Sequence, residues 1–140
     1  MDYEIQLYKQ AQQQELSQFY KRNNYKGKVK STDRVWVVVD SDAQIIGAAR
    51  FCHNAGLSIL RGVWIEECLR QQGIGSQLLH ALKLSGDIEG CYCFPYLYLE
   101  AFYQKQGFRL VEQAPVSLQK LLTRYNHHEE KVILMGMPLV

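Results

Sequence analysis

The chain has 140 residues, 47% hydrophobic and 21% charged, enough for one globular domain that buries roughly two-thirds of its surface on folding. Its formal net charge of +2 is too small for a nucleic-acid footprint, and no apolar run approaches the ~20 residues that cross a bilayer. The start, Met1-Asp2-Tyr3-Glu4, lacks the pattern of a secretory leader, so a cytoplasmic protein with reduced, mostly buried thiols is expected.

Tyr3-Glu4-Ile5-Gln6-Leu7-Tyr8 alternates in polarity like a half-covered first strand. A glutamine-rich helix follows over about residues 10 to 23, with Leu16, Phe19 and Tyr20 on one face, and stops at Asn23-Asn24. From Lys21 to Lys30, five of ten residues are Lys or Arg, in a stretch without periodicity. It reads as a solvated loop, or as a flap that attracts an acidic substrate. Residues 33–40 form a near-continuous apolar strand, covered on both faces. Ser41-Asp42-Ala43 turns it into a third strand over 44–52, and His53-Asn54-Ala55-Gly56 turns that into a central strand ending at Ile65.

Strict alternation along the central strand groups Leu57, Ile59, Arg61, Val63 and Ile65, with Arg61 the outlier. A β-bulge near Arg61-Gly62 would rotate the pattern and return the arginine to the polar side.

Behind Gly73 and Gly75, the residues Ile74, Leu78, Leu79 and Leu82 recur at helical spacing. Both glycines therefore stand at a helix N-terminus, where free amides and the helix dipole make an anion seat and the missing Cβ atoms let a ligand approach. A phosphate is the expected guest. No Lys follows Gly75, as a P-loop would require, and Leu78 stands where a dinucleotide fingerprint wants a third small residue.

Ser85-Gly86-Asp87 ends this helix, and a fifth strand over 90–94 is stopped by Pro95, which has no N–H for a ladder. Leu99, Phe102 and Tyr103 share one side of a short helix ending at Gly107, and residues 108–111 form a sixth strand. Ser117 is expected to cap a helix carrying Leu118, Leu121, Leu122 and Tyr125, and residues 131–137 close the sheet. Cys91 and Cys93 lack the second pair that a zinc framework needs, and His53, His127 and His128 add no ligand spacing, so no metal is expected.

Two segments carry a family resemblance. Arg70-Gln71-Gln72-Gly73-Ile74-Gly75 resembles the R/Q-x-x-G-x-G/A motif with which the GNAT acetyltransferase superfamily cradles the pyrophosphate of acetyl-CoA. Phe102-Tyr103-Gln104-Lys105-Gln106-Gly107-Phe108 resembles that family's F-Y-x-x-x-G-F, in the family's order and roughly its spacing.

The resemblance implies an α/β fold (α+β in arrangement): a mixed, mostly antiparallel seven-stranded sheet with helices on both faces and strands four and five splayed. It implies acetyl transfer from acetyl-CoA to a primary amine, on a small molecule or a peptide, by direct attack in a ternary complex. Val63 and Ile65 would lie along the acetyl group and the pantetheine arm. Arg70, Gln71, Gln72, Gly73, Ile74, Gly75 and Ser76 would hold the pyrophosphate. Tyr103 matches the proton donor to the CoA sulfur, and Glu66 is the candidate base, with Glu67 or water as alternatives. Dimers are common in the family, which leaves a homodimer open.

The chain departs from the family at Tyr96, where Asn is frequent, and at Glu67, where proline is usual after the central strand. Two other classes of function compete: a catalytically idle GNAT fold that binds an acyl-CoA as a sensor, and an RNA-binding protein using Lys21 to Lys30. The low net charge and the lack of a stacking platform of aromatics argue against the second.

Overall fold

A computed structural model describes residues 2–127 and 131–139 of the chain. Seven strands form one sheet in the order β1-β2-β3-β4-β5-β7-β6. The first four are β1 (Tyr3–Leu7), β2 (Arg34–Asp40), β3 (Ile45–Asn54) and β4 (Leu57–Ile65), and they run as an antiparallel meander. β5 (Tyr92–Cys93) lies parallel to β4, while β6 (Arg109–Leu110) and β7 (Met135–Gly136) complete the far edge in antiparallel pairs. This is the mixed, mostly antiparallel arrangement expected.

The hairpins follow local chemistry. Between β2 and β3, Asp40 Oδ1 accepts 2.9 Å hydrogen bonds from the amides of Asp42 and Gln44. Between β3 and β4, Ala55 and Gly56 both adopt positive φ, and Asn54 pairs with Leu57. That is a two-residue turn of the kind whose twist matches an antiparallel pair, and β3 therefore runs two residues further than the sequence suggests.

Four helices cover the sheet. On one face α1 (Gln13–Arg22) buries Leu16, Phe19 and Tyr20 against Val35, Val37, Val39, Ile45 and Ala48. On the same face α4 (Val116–Tyr125) sets Leu118 and Leu121 against Ile59 and Leu134. The opposite face carries α2 (Ile74–Ser85), whose Ile74, Leu78, Leu79 and Leu82 pack on Val38, Ile46, Ala49, Phe51 and Leu60. α3 (Glu100–Lys105) joins them through Tyr103. β2 thus faces apolar side chains on both sides, as its sequence predicts: Val38 looks to α2 and Val37 to α1.

Three local expectations are corrected. Ser117 does not cap α4; Pro115 is the flanking residue and no side chain caps the amides there. β5, β6 and β7 have two residues each, shorter than their apolar runs. The four cysteines are free, but only Cys91 and Cys93 are buried, while Cys52 is half-buried and Cys68 exposed.

Candidate active site

The central strand carries the predicted bulge. Ala48 pairs with Trp64 and Arg50 with Arg61, so two steps along β3 match three along β4, and Gly62 takes up the extra residue at φ +61°. A Cβ on Gly62 would stand 2.8 Å from the Tyr20 hydroxyl oxygen and 3.1 Å from the Tyr25 ring. Both the conformation and the space require glycine here.

The bulge sorts the side chains of β4 differently from the expectation. Arg61 stays on the face of Ile59, and Val63 and Ile65 are the residues turned over, joining Leu60 in the core beneath α2. Arg61 does not reach a polar side. Its guanidinium lies 5.8 Å from the Phe94 ring centroid and 5.3 Å from that of Tyr125, and Nη2 donates to the Tyr125 hydroxyl.

Beyond the bulge β4 and β5 part company. They pair only at Ile59–Tyr92 and Leu60–Cys93. Glu66 donates its amide to the Ile46 carbonyl on β3. By strand alternation Val63 and Ile65 therefore turn their N–H and C=O groups to the splayed side. The Ile65 carbonyl there accepts 2.9 Å from Nε of Arg70, whose guanidinium lies 5.7 Å from the Trp64 ring.

A cavity of about 550 Å³ occupies the splay. Its walls come from both faces of the sheet: Leu60, Val63, Cys93 and Tyr103 on the α2 and α3 side, Tyr25, Arg61, Trp64 and Tyr125 on the α1 and α4 side. Of the aromatic run from Tyr92 to Tyr98, Phe94 and Tyr96 reach this cavity, and Tyr98 stacks on Tyr96 from solvent.

Tyr103 is 7% exposed and packs edge-on against Phe102 and Phe108. Burial raises its pKa well above the ordinary tyrosine value, and the neighbouring Cys93 and Cys91 add to that. The phenol therefore keeps its proton through the neutral range. Burial likewise lifts Cys91 to about 12 and raises Cys93 further from ionisation.

At the head of α2, Gly73 is the flanking residue at φ +85°, and a Cβ there would meet nothing within 4 Å. Among the described residues, no acceptor takes the amides of Gln71, Gln72, Gly73, Ile74, Gly75 and Ser76. Gly75 has an ordinary φ and matters by proximity, since its Cβ would touch Phe102 Cζ at 3.4 Å. Gln106 Nε2 donates to Ser76 Oγ at 3.3 Å, which ties α3 to this turn. The donor set and the open ground fit a pyrophosphate.

Glu66 is placed elsewhere. One carboxylate oxygen accepts from Arg22 Nε at 2.8 Å and the other from Asn23 Nδ2, while Asn23 Oδ1 accepts the Glu67 amide at 3.1 Å and its carbonyl accepts the Trp64 indole at 3.0 Å. Neither Glu66 nor Glu67 lines the cavity. The structure thus brings together Val63 and Tyr103 on the cavity wall and sets Ile65, Ile74 and Gly75 on the α2 side, with the Arg70 guanidinium against Trp64, but leaves Glu66 in a brace between α1 and β4.

Sequence reasoning missed Tyr25, Arg61 and Tyr125 as cavity residues. Tyr25 sits in an aperiodic loop, yet its hydroxyl accepts from Arg50 Nη2 at 2.6 Å, and Arg50 Nη1 donates 2.9 Å to Asp33 in a pair that is almost wholly buried. The basic loop is therefore anchored at Tyr25 and Asp33, and it borders a second cavity of about 530 Å³ lined by Lys21, Lys28 and Lys30. No sequence signal marks that anchor except the Asp33-Arg34 step before the strand. Among the described residues no group of three or more His, Cys, Asp or Glu could hold a metal, and no helix is long and apolar enough to cross a membrane.

The comparisons with known proteins agree with this geometry. A family model described as an acetyltransferase (GNAT) domain matches residues 31–110. No curated protein matches the chain. Among solved structures, a GNAT-family acetyltransferase of Staphylococcus aureus Mu50 is similar at a TM-score of 0.68 and 18% identity, covering 96% of this chain and 98% of that one. The ribosomal-protein-S18-alanine N-acetyltransferase of Escherichia coli is similar at 0.69 and 13% identity, covering 99% and 94%. A Bacillus anthracis protein in complex with acetyl coenzyme A is similar at 0.64 and 15% identity, covering 98% of each. Such identities speak for the fold, and the family match over more than half its length settles membership: the chain belongs to the GNAT acetyltransferases.

Proposed function

We propose that the chain is an N-acetyltransferase that moves the acetyl group of acetyl-CoA to a primary amine by direct attack within a ternary complex. The observation that carries this reading is the cavity in the splay, which is walled from both faces of the sheet and has Tyr103 among its lining residues. A donor bound along the α2 face and an acceptor entering from the α1 and α4 face meet there without a covalent enzyme intermediate. Acetyl-CoA supplies an already activated thioester, so the chain's task is placement and proton handling.

The free amides from Gln71 to Ser76 hold the pyrophosphate at the head of α2, with the dipole adding to the attraction. Val63 and Ile65 offer their splayed-edge backbone groups to the pantetheine arm, in the manner of an added strand. For that, Arg70 releases the Ile65 carbonyl and is free to turn to the phosphates. As the C–N bond forms and the C–S bond breaks, Tyr103 gives its proton to the departing thiolate and is reprotonated by the proton that the acetylated nitrogen sheds. The ammonium acceptor loses its proton to water in the cavity, because Glu66 is committed to Arg22 and Asn23.

The test is a calorimetric titration with acetyl-CoA, followed by an amine panel read by free-thiol release. Micromolar binding lost in Gly75→Glu, together with turnover, is the expected result. Binding with no turnover on any amine would leave an idle acyl-CoA-binding module instead. No binding to acetyl-CoA or CoA would sink the reading altogether.

A further inference from the structure

We propose that the acceptor amine also carries a carboxylate, and that Arg61 is the residue that binds it; this rests on the acetyltransferase reading above. The three ion pairs among the described residues join Arg22 to Glu66, Arg34 to Asp87 and Arg50 to Asp33. Arg61 has no carboxylate in that set, although it is half-buried and lines the cavity in the splay. Nη2 donates to the Tyr125 hydroxyl, and no other hydrogen bond runs from the guanidinium to a described residue.

Its neighbours sharpen the case. The residue directly across the ladder is Arg50, a second cation whose charge is already taken by Asp33. Two cations face each other there, an arrangement that is unfavourable in a bare sheet. A half-buried charge with no counterion among the described residues costs stability as well. Both costs are relieved when an anion enters the cavity.

The guanidinium fork lies against the edge-on pair of Phe94 and Tyr125 rings and is tied through Nη2 to the Tyr125 hydroxyl, so its remaining donors form an edge suited to a planar carboxylate. The same side of the cavity is otherwise aromatic, with Tyr25 and Trp64. A small amino carboxylate with an apolar or aromatic remainder matches that wall. Arg61 lies on the α1 and α4 face and Tyr103 on the other, so carboxylate and reacting sulfur are kept apart across the sheet.

The experiment uses the full chain with acetyl-CoA and measures free-thiol release with alanine, leucine and phenylalanine, each beside its amide. The amides hold more free amine at neutral pH, so intrinsic reactivity favours them and a preference for the acids is the work of the site. The expected result is a kcat/KM at least about tenfold higher for the acids, as fits a charge-assisted hydrogen bond. Arg61→Gln then raises KM for the acids about tenfold or more, with kcat and the amides unmoved, and Arg61→Lys recovers part of the loss. Tyr125→Phe keeps both rings and removes only the hydroxyl on Nη2; it too shifts the acids alone, with thermal melting as the check on folding.

Equal use of acids and amides would overturn the assignment and leave acetyl transfer standing. So would an Arg61→Gln loss shared by both series, or no turnover of any acid by a chain that binds acetyl-CoA. Failure to bind acetyl-CoA would remove the proposed function and this inference with it.

Discussion

The hydroxyl of Tyr20 donates a 2.7 Å hydrogen bond to the carbonyl oxygen of Gly62, tying α1 to the bulge of the central strand. Tyr20 is 4% exposed, and its ring lies 4.4 Å from that of Tyr25, tilted by 40°, so the bulge is clamped from the α1 side by two phenols in contact. Tyr20→Phe keeps the ring and drops the bond. The expected cost is about 1–2 kcal/mol in urea unfolding, with the upper figure applying if the Gly62 carbonyl stays dry. A loss of kcat/KM larger than the stability change accounts for would show that bulge geometry sets the cavity; unchanged stability would show the bond to be idle.

Tyr103→Phe should lower kcat by roughly 10²-fold on the true acceptor while leaving acetyl-CoA affinity unchanged. The phenol is held protonated by burial, so the wild-type enzyme should show no alkaline fall in kcat traceable to Tyr103 below the ordinary tyrosine range. A variant with full kcat at every pH would remove Tyr103 from the chemistry.

Glu66→Gln should leave the shape of the pH–rate profile intact, because both carboxylate oxygens serve Arg22 and Asn23. Its cost appears in stability instead, about 1 kcal/mol, since the Arg22 side chain is 43% exposed and solvent screens the pair. Loss of the profile's acidic limb in this variant would restore Glu66 as the base.

Alkali should destabilise the fold in a defined window. Cys91 rises from an ordinary 9.0 to about 12 on burial, and Cys93 is raised too, so above pH 9 the unfolded chain gives up protons that the folded chain keeps. Stability from this source is complete below pH 9 and falls as pH rises toward 12, by up to roughly 1.4 kcal/mol per pH unit for each thiol. Unfolding curves at pH 8, 9.5 and 11 read the slope, which should flatten in Cys91→Ala. Equal slopes in the two proteins would refute the assignment.

The glycine turn at the head of α2 and the Tyr103 helix are legible in sequence because each depends on a few residues at fixed spacing around a glycine. The bulge is legible for a related reason: one cation interrupts an otherwise apolar alternation at Arg61. Its effect on facing is not legible. Whether Arg61 or Val63 and Ile65 change sides depends on which residue the partner strand skips, and that is decided by Tyr20 and Tyr25 packing on Gly62 from elsewhere in the chain. Residues 90–94 read as a five-residue strand, but pairing stops at Cys93 because β4 has already turned away. Glu66 shows the same limit, since its partners Arg22 and Asn23 stand more than forty positions earlier.

The one residue inserted at Gly62 has a consequence for how such a chain can change. Within five consecutive positions, Arg61 and Trp64 address one side of the sheet while Val63 and Ile65 address the other. On the proposed function, choice of acceptor and grip on the donor are thereby written in alternating letters of one short word. If the proposed roles hold, a substitution at Arg61 or Trp64 redirects selectivity without loosening the cofactor, and the two properties drift independently.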